Sequence, residues 1–131
     1  MIDVETEVFD TVYQAVHRLV PEGCVSGVYV PQPPAFPFVT LMETDNATFT
    51  RQRSTAVDEE YAVVTSDANV YANDKHECRE VMDAIDTALV RLNFTRLSMA
   101  FTPNLADETI FRITARYRAA ADTNKRFYRY R

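Results

Sequence analysis

Only two glycines, Gly23 and Gly27, occur in the 131 residues. Loops that wrap a nucleotide phosphate need several, because only a residue without a Cβ lets the backbone close on the anion. P-loop and dinucleotide-binding enzymes are therefore disfavoured. Tryptophan is absent, and cysteine is limited to Cys24 and Cys78, far apart in apolar surroundings. That usage fits reduced core thiols better than a disulfide framework. Histidine is equally scarce, and neither His17 nor His76 stands at a paired-ligand spacing from a cysteine, so no metal site is assigned. The first residues, Met1-Ile2-Asp3-Val4-Glu5-Thr6-Glu7, contain neither a basic run nor an apolar block. No signal peptide and no membrane span is expected there.

Charge is unevenly spread. The formal net charge is -5, but residues 122–131 hold Lys125, Arg126, Arg129 and Arg131 against Asp122, a balance of +3, which leaves -8 on the rest. An acidic body is repelled by phosphates, so binding of nucleic acid over the whole surface is not expected.

What the chain has in abundance is amphipathic pattern. Between Glu59 and Ala72, the residues Ala62, Val64, Ser66, Ala68, Val70 and Ala72 share one parity. A strand turns all six to one face and Tyr61, Thr65, Asp67, Asn69 and Tyr71 to the other. Asp74 then offers a side-chain acceptor, with the Glu77 carboxylate three positions on, which marks a helix start. Beyond it Cys78, Val81, Met82, Ile85, Leu89 and Leu92 recur at helical steps, while Lys75, Glu80, Asp83, Asp86 and Arg91 take the solvent side. Burying such a stripe contributes roughly 1.5–3 kcal/mol per side chain before entropy is subtracted. Cys78 and Met82 belong to that stripe and are read as core.

An earlier helix is expected from Asp3 to Val20, stopped by Pro21-Glu22-Gly23. Its stripe is Val8, Val12, Val16 and Leu19, widened by Phe9, Tyr13 and Val20, with His17 half-buried near its end. A short strand from Val25 to Val30 leads into Pro31, Pro33, Pro34 and Pro37, a stiff exposed connection. Phe38 to Glu43 reads as a second strand. Thr44 to Asp58, with Arg51 and Arg53, reads as a long loop or protruding hairpin, either solvated or a partner-contacting arm.

Thr95–Thr102, alternating through Leu97, Met99 and Phe101, and Thr109–Arg118, alternating through Phe111, Ile113, Ala115 and Tyr117, read as paired strands. On the second, Arg112, Thr114, Arg116 and Arg118 share the outer face. They either pair with acidic neighbours of the same chain or form a subunit contact. The tail, Lys125-Arg126-Phe127-Tyr128-Arg129-Tyr130-Arg131, suits an arm docking on protein, a sheet-extending strand, or a single-strand nucleic-acid contact.

The expected fold class is therefore α+β: a mainly antiparallel sheet of about four to five strands packed against two helices. Residues 1–121 form one domain and 122–131 a basic aromatic arm. No catalytic residue is assigned. His76 and Cys78 are two apart and point away from each other on a helix, and Asp83 and Asp86 share its solvent face. No cofactor is called for.

Three segments carry a family resemblance: the strand Phe36-Pro37-Phe38-Val39-Thr40-Leu41, the strand from Tyr61 to Ala72, and the helix that follows at once through Glu80-Val81-Met82-Asp83-Ala84-Ile85-Asp86-Thr87-Ala88-Leu89. With the order of the remaining segments, they resemble the tail-terminator or tail-completion proteins of long-tailed bacteriophages, also described as head-tail joining proteins. The resemblance covers nearly the whole chain and is one of segment order and pattern. The chain departs from it at Ala72-Asn73-Asp74, where many relatives carry a glycine-rich break, and in its basic aromatic tail.

The resemblance implies helices on a mainly antiparallel sheet, assembled as a ring, usually of six, that halts tail-tube polymerisation and meets the head connector. It implies a homo-oligomer with the tail-tube protein and the head connector or adaptor as partners. DNA passes through the lumen without specific binding, and no membrane is involved. Assembly in the host cytoplasm and residence in the tail-neck region of the virion follow. A head-to-tail ring needs two different patches per subunit. Candidates are the acidic helix face of Glu80, Asp83 and Asp86 and the arginine row of Arg112, Arg116 and Arg118. Arg51 and Arg53 in the long loop, and Arg126, Phe127, Tyr128, Arg129 and Tyr130 in the tail, are further candidate contacts. Rival readings are a head-side connector (head closure or adaptor) of the same neck, a nucleic-acid-binding module acting through the arm, and a small hydrolase or nuclease whose site only the fold assembles.

Overall fold

The computed structural model describes residues 1–49, 61–102 and 109–130. Its central unit is the strand-into-helix passage that the pattern marks. Strand Tyr61–Ala72 runs into helix Lys75–Arg91, and the Asp74 carboxylate accepts from the His76 amide at 2.9 Å, which satisfies one of the open amides of the first turn. Glu77 in the first turn and Arg91 in the last both suit the helix dipole. The helix ends in a Schellman arrangement. Asn93 takes φ +71°, its amide bonds to the Val90 carbonyl at 3.0 Å, and the Phe94 amide bonds to the Leu89 carbonyl at 2.9 Å. Phe94 and Leu89, both buried, supply the apolar contact that accompanies this cap.

In chain order the elements are α1 (Glu5–Val16), β1 (Val25–Ser26), β2 (Phe38–Phe49), β3 (Tyr61–Ala72), α2 (Lys75–Arg91), β4 (Thr95–Phe101), β5 (Phe111–Asp122) and β6 (Phe127–Tyr128). The strands form one sheet in the order β1-β2-β3-β5-β4, with β6 beside β5 past the end of β4. Among the described residues only the β1–β2 pair is parallel. The class is α+β, as expected, and β6, the sheet-extending alternative for the tail, makes a sixth strand.

Both helices lie on one face of the sheet. Val8, Val12 and Val16 of α1 and Cys78, Val81, Met82, Ile85 and Leu89 of α2 meet Ala62, Val64, Ala68 and Val70 of β3 and Ile113, Ala115 and Tyr117 of β5. The six-residue parity set of β3 is wholly buried.

Several expectations about the elements need correction. The first helix stops at Val16, and the chain beyond it tightens, the Leu19 amide bonding to the Val16 carbonyl. Leu19 therefore leaves the buried stripe and is exposed, as are Tyr13, expected to widen it, and His17, expected to be half-buried, while Val20 closes the core. Second, β1 covers only Val25 and Ser26, because the Ser26 hydroxyl bonds both the carbonyl and the amide of Val28, at 2.9 and 3.1 Å, and bends the chain outward. Third, β2 does not end at Glu43. It passes a bulge at Thr44 and pairs Asp45 to Phe49 with Thr65 to Tyr61, so the expected loop begins later; residues 50–58 lie outside the described residues. Fourth, a bulge at Leu97 breaks the alternation of β4, whose residues are exposed through most of its length instead of forming core.

Candidate functional site

The helix-free face of the sheet is the first candidate. β5 pairs with β3 so that Arg118 stands opposite Thr65, Arg116 opposite Asp67, Thr114 opposite Asn69 and Arg112 opposite Tyr71. Each arginine reaches across the ladder. Arg116 forks onto Asp67, Nε to Oδ1 at 2.8 Å and Nη2 to Oδ2 at 3.1 Å. Arg112 donates from Nε and Nη2 to Asn69 Oδ1 and lies over the Tyr71 ring at 5.4 Å; Thr114 reaches the same oxygen at 2.8 Å. Arg118 donates to Thr65 Oγ1 at 3.4 Å and lies 5.8 Å over Tyr130.

The Arg112 and Arg118 side chains meet Thr65, Asn69 and Tyr71, which are buried although no helix among the described residues covers them. The row thus pairs with its own strand neighbours, and its guanidinium planes remain at the surface, Arg116 with half its side chain exposed. The hydrogen bond from Arg116 to Asp67, backed by the opposite charge, pushes the guanidinium pKa further up.

The tail folds back on this sheet. Asp122 holds a tight turn, its Oδ1 accepting the amides of Asn124 and Arg126 at 2.9 and 3.0 Å, while Lys125 takes φ +61°. Backbone hydrogen bonding from Arg126, helped by the Tyr128 hydroxyl at 2.8 Å, holds the Asp122 carboxyl below its usual value. Phe127 turns to the helix side against Phe94, with ring centroids 5.4 Å apart, and its carbonyl accepts from Asn93 Nδ2 at 2.9 Å. Tyr128 meets Tyr61 edge-on at 6.1 Å on the other side. Lys125 pairs with Glu7 of α1 at 3.0 Å, while Arg126 and Arg129 stand exposed. Arg51, Arg53 and Arg131 lie outside the described residues.

On α2, Glu80 and Asp83 face solvent. Asp86 does not, which corrects its placement on the solvent face. Its carboxylate accepts from the Tyr117 hydroxyl at 2.8 Å and from Arg96 at 3.2 Å. Burial, and then this bond to a carboxylate, raise the Tyr117 hydroxyl well above the ordinary phenol value and keep it a donor. Between α2 and β4 lies a groove of about 440 Å³ lined by Arg79, Met82, Met99, Phe101 and Ile113 among others. Lys75 and Arg79 lie 4.9 and 5.1 Å over the Phe101 ring. Nothing in the spacing of Lys75, Arg79 and Phe101 announced that stack, since it depends on how β4 sits beside α2.

Cys78 is buried, its Sγ donating to the Val70 carbonyl at 3.3 Å, and burial pushes its thiol up to about 11. Such a thiol is protonated at neutral pH and packs as core. Among the described residues no three His, Cys, Asp or Glu side chains are grouped to hold a metal, and no helix is long and apolar enough to cross a membrane.

A second cleft, between α1 and β2, is lined by Glu5, Phe9, Gly27, Leu41 and Glu43. Burial raises the Glu43 carboxyl above its usual range; Glu5 and Asp3 add to this, an Asn46 hydrogen bond opposes it, and Asp45 contributes least. The folded state then holds this proton more tightly than the unfolded chain. Stability falls as pH climbs from the ordinary 4.5 through the raised folded value, and the whole penalty stands at neutral pH. Glu43→Gln is expected to raise the melting temperature at neutral pH and to leave it unchanged in acid below the ordinary glutamate value. Paired thermal melts at the two pH values check this; an equal gain at both excludes the charge as its cause.

A chain described as "Virion of native gene transfer agent (GTA) particle" has a similar structure, with a TM-score of 0.61 at 16% sequence identity over 88% of this chain and 91% of that one. At that identity the likeness is one of fold. No protein-family model matches the chain, nor does any curated relative.

Proposed function

We propose that this protein is a structural virion component that acts as a ring at the head-proximal end of a long phage tail, where it terminates tail-tube polymerisation and joins the tail to the head connector. The observation that carries the reading is the fold shared with a chain of a virion over nearly the full length of both. The segment order that resembles tail terminators points the same way. The surface suits the role: an open sheet face with a bidentate arginine and the partly exposed Tyr61 and Tyr128, side chains favoured as anchors of protein contacts, and exposed Glu80 and Asp83 on the opposite layer.

In this reading the subunit is one of about six, held head to tail by unlike patches. The acidic face of α2 and the arginine row on β5 are two such patches, and the lumen passes DNA without gripping it, as an acidic body favours.

The test is light scattering on the purified chain at several concentrations, alone and with tail-tube protein. The expected result is a ring-sized species that binds tube ends and stops their growth. A chain that stays single and leaves tubes growing overturns the proposal. A ring that ignores tubes but binds the portal vertex moves the assignment to the head-side adaptor of the same neck.

A further inference from the structure

The two outer borders that the sheet has among the described residues are unlike, and each exposes apolar side chains. At the β1 border the bend held by the Ser26 hydroxyl presents Val28 and Tyr29, 66% and 65% exposed, with Gly27 seated against the Phe9 ring behind them. Large apolar side chains this exposed, on a bend fixed by its own hydrogen bonds, form a knob whose shape is set before any contact is made. At the far border β4 pairs only with β5 among the described residues, leaving its outer edge open. Leu97 and Met99 are 45% and 37% exposed there, beside the groove floored by Met82, Phe101 and Ile113. Its volume of about 440 Å³ is within the roughly 300–1,000 Å³ of sites that enclose small organic molecules, ample for an aromatic ring.

Charge matches the two borders to each other. Carboxylates gather near the knob: Glu5 and Glu43 line the cleft that Gly27 also lines, and Asp3 and Asp45 lie close enough to disturb Glu43. Cations stand at the groove: Lys75 and Arg79 lie over Phe101, while Arg96 is the partner of Asp86. Of the groove's carboxylates, Asp86 is already engaged by Tyr117 and Arg96, leaving Asp83 alone.

We propose that the Val28–Tyr29 knob of one copy seats in the α2–β4 groove of the next, so that opposite borders of the sheet make the head-to-tail contact between subunits. This rests on the ring reading above, and it puts the two borders in place of the α2 acidic face and the β5 arginine row as the patches that join neighbouring copies. Because knob and groove sit on different borders, each copy offers one of each, and the contact propagates around a ring instead of ending at a dimer.

The experiment compares the wild-type chain with Tyr29→Asp and Met99→Glu, both at exposed positions, by light scattering, with circular dichroism and thermal melts as the check on folding. Each variant alone is expected to lose assembly and run at single-chain mass. Their equimolar mixture is expected to form dimers and nothing larger, because only the knob of Met99→Glu and the groove of Tyr29→Asp remain competent. Variants that assemble like the wild type overturn this contact while leaving the ring standing. A mixture that stays single also overturns it, since the two borders are then not each other's partners. A wild-type chain that never assembles removes the ring reading and this contact with it.

Discussion

Phe94→Ala is expected to cost about 3–5 kcal/mol of folding stability, the range for emptying a buried aromatic site, and to loosen the C-terminal strand at the same time. Phe94 is 1% exposed and serves two neighbours. Toward α2 it is the apolar residue of the helix-ending motif, its amide on the Leu89 carbonyl. Toward the tail its ring faces Phe127 at 5.4 Å, next to the Asn93 bond that holds the Phe127 carbonyl. Truncation therefore opens a cavity at a place where helix and tail both depend on the same ring. Urea unfolding gives the global loss, and trypsin cleavage after Lys125 and Arg126 in the native state gives the local one. Phe127→Ala, at a half-buried position, is expected to expose the same bonds to trypsin with a smaller global loss. Tail bonds that stay protected in Phe94→Ala show that β6 is anchored elsewhere, for instance through the Lys125–Glu7 pair.

The core was legible in the sequence because its signals are local. The β3 parity set, the Asp74 cap and the α2 stripe each need only the periodicity of one element, and each is found where the pattern puts it. The face of β5 was legible for the same reason, since Arg112, Arg116 and Arg118 share a parity. Their acceptors were not. Thr65, Asp67 and Asn69 also share a parity on β3, but which arginine meets which acceptor depends on a register fixed by two strands far apart in the chain. The bulges at Thr44 and Leu97 leave no mark in the sequence: the residue types keep alternating past them, while the inserted residue shifts by one which face that alternation meets. Val28 and Tyr29 read as strand by residue type; one hydroxyl, that of Ser26, turns them out of the sheet.

The misreading of Asp86 has the same origin and leads to a second large effect. Helical spacing puts Asp83 and Asp86 on one face, yet Tyr117 crosses from β5 beneath α2 and takes Asp86 inward. Asp86→Ala is expected to cost about 1–3 kcal/mol, because the hydroxyl of a tyrosine with no exposed surface then has no acceptor. Loss of the Arg96 pair adds little, since that guanidinium is half exposed. Tyr117→Phe removes the donor with the ring volume kept and leaves Asp86 its arginine, so its cost falls at the lower end of the same range. Once either partner is gone, removing the other is expected to cost less than it does alone. A double-mutant cycle in urea is therefore expected to return a coupling of roughly 0.5–3 kcal/mol. Additive losses show that the 2.8 Å contact contributes nothing beyond its two ends. Asp83→Ala and Glu80→Ala, on the solvent side of the same helix, are expected to stay within about 0.5 kcal/mol of wild type. If they nonetheless weaken ring formation, the acidic face of α2 is spent on assembly while Asp86 beside it is spent on folding, and one helix serves the two ends with neighbouring carboxylates.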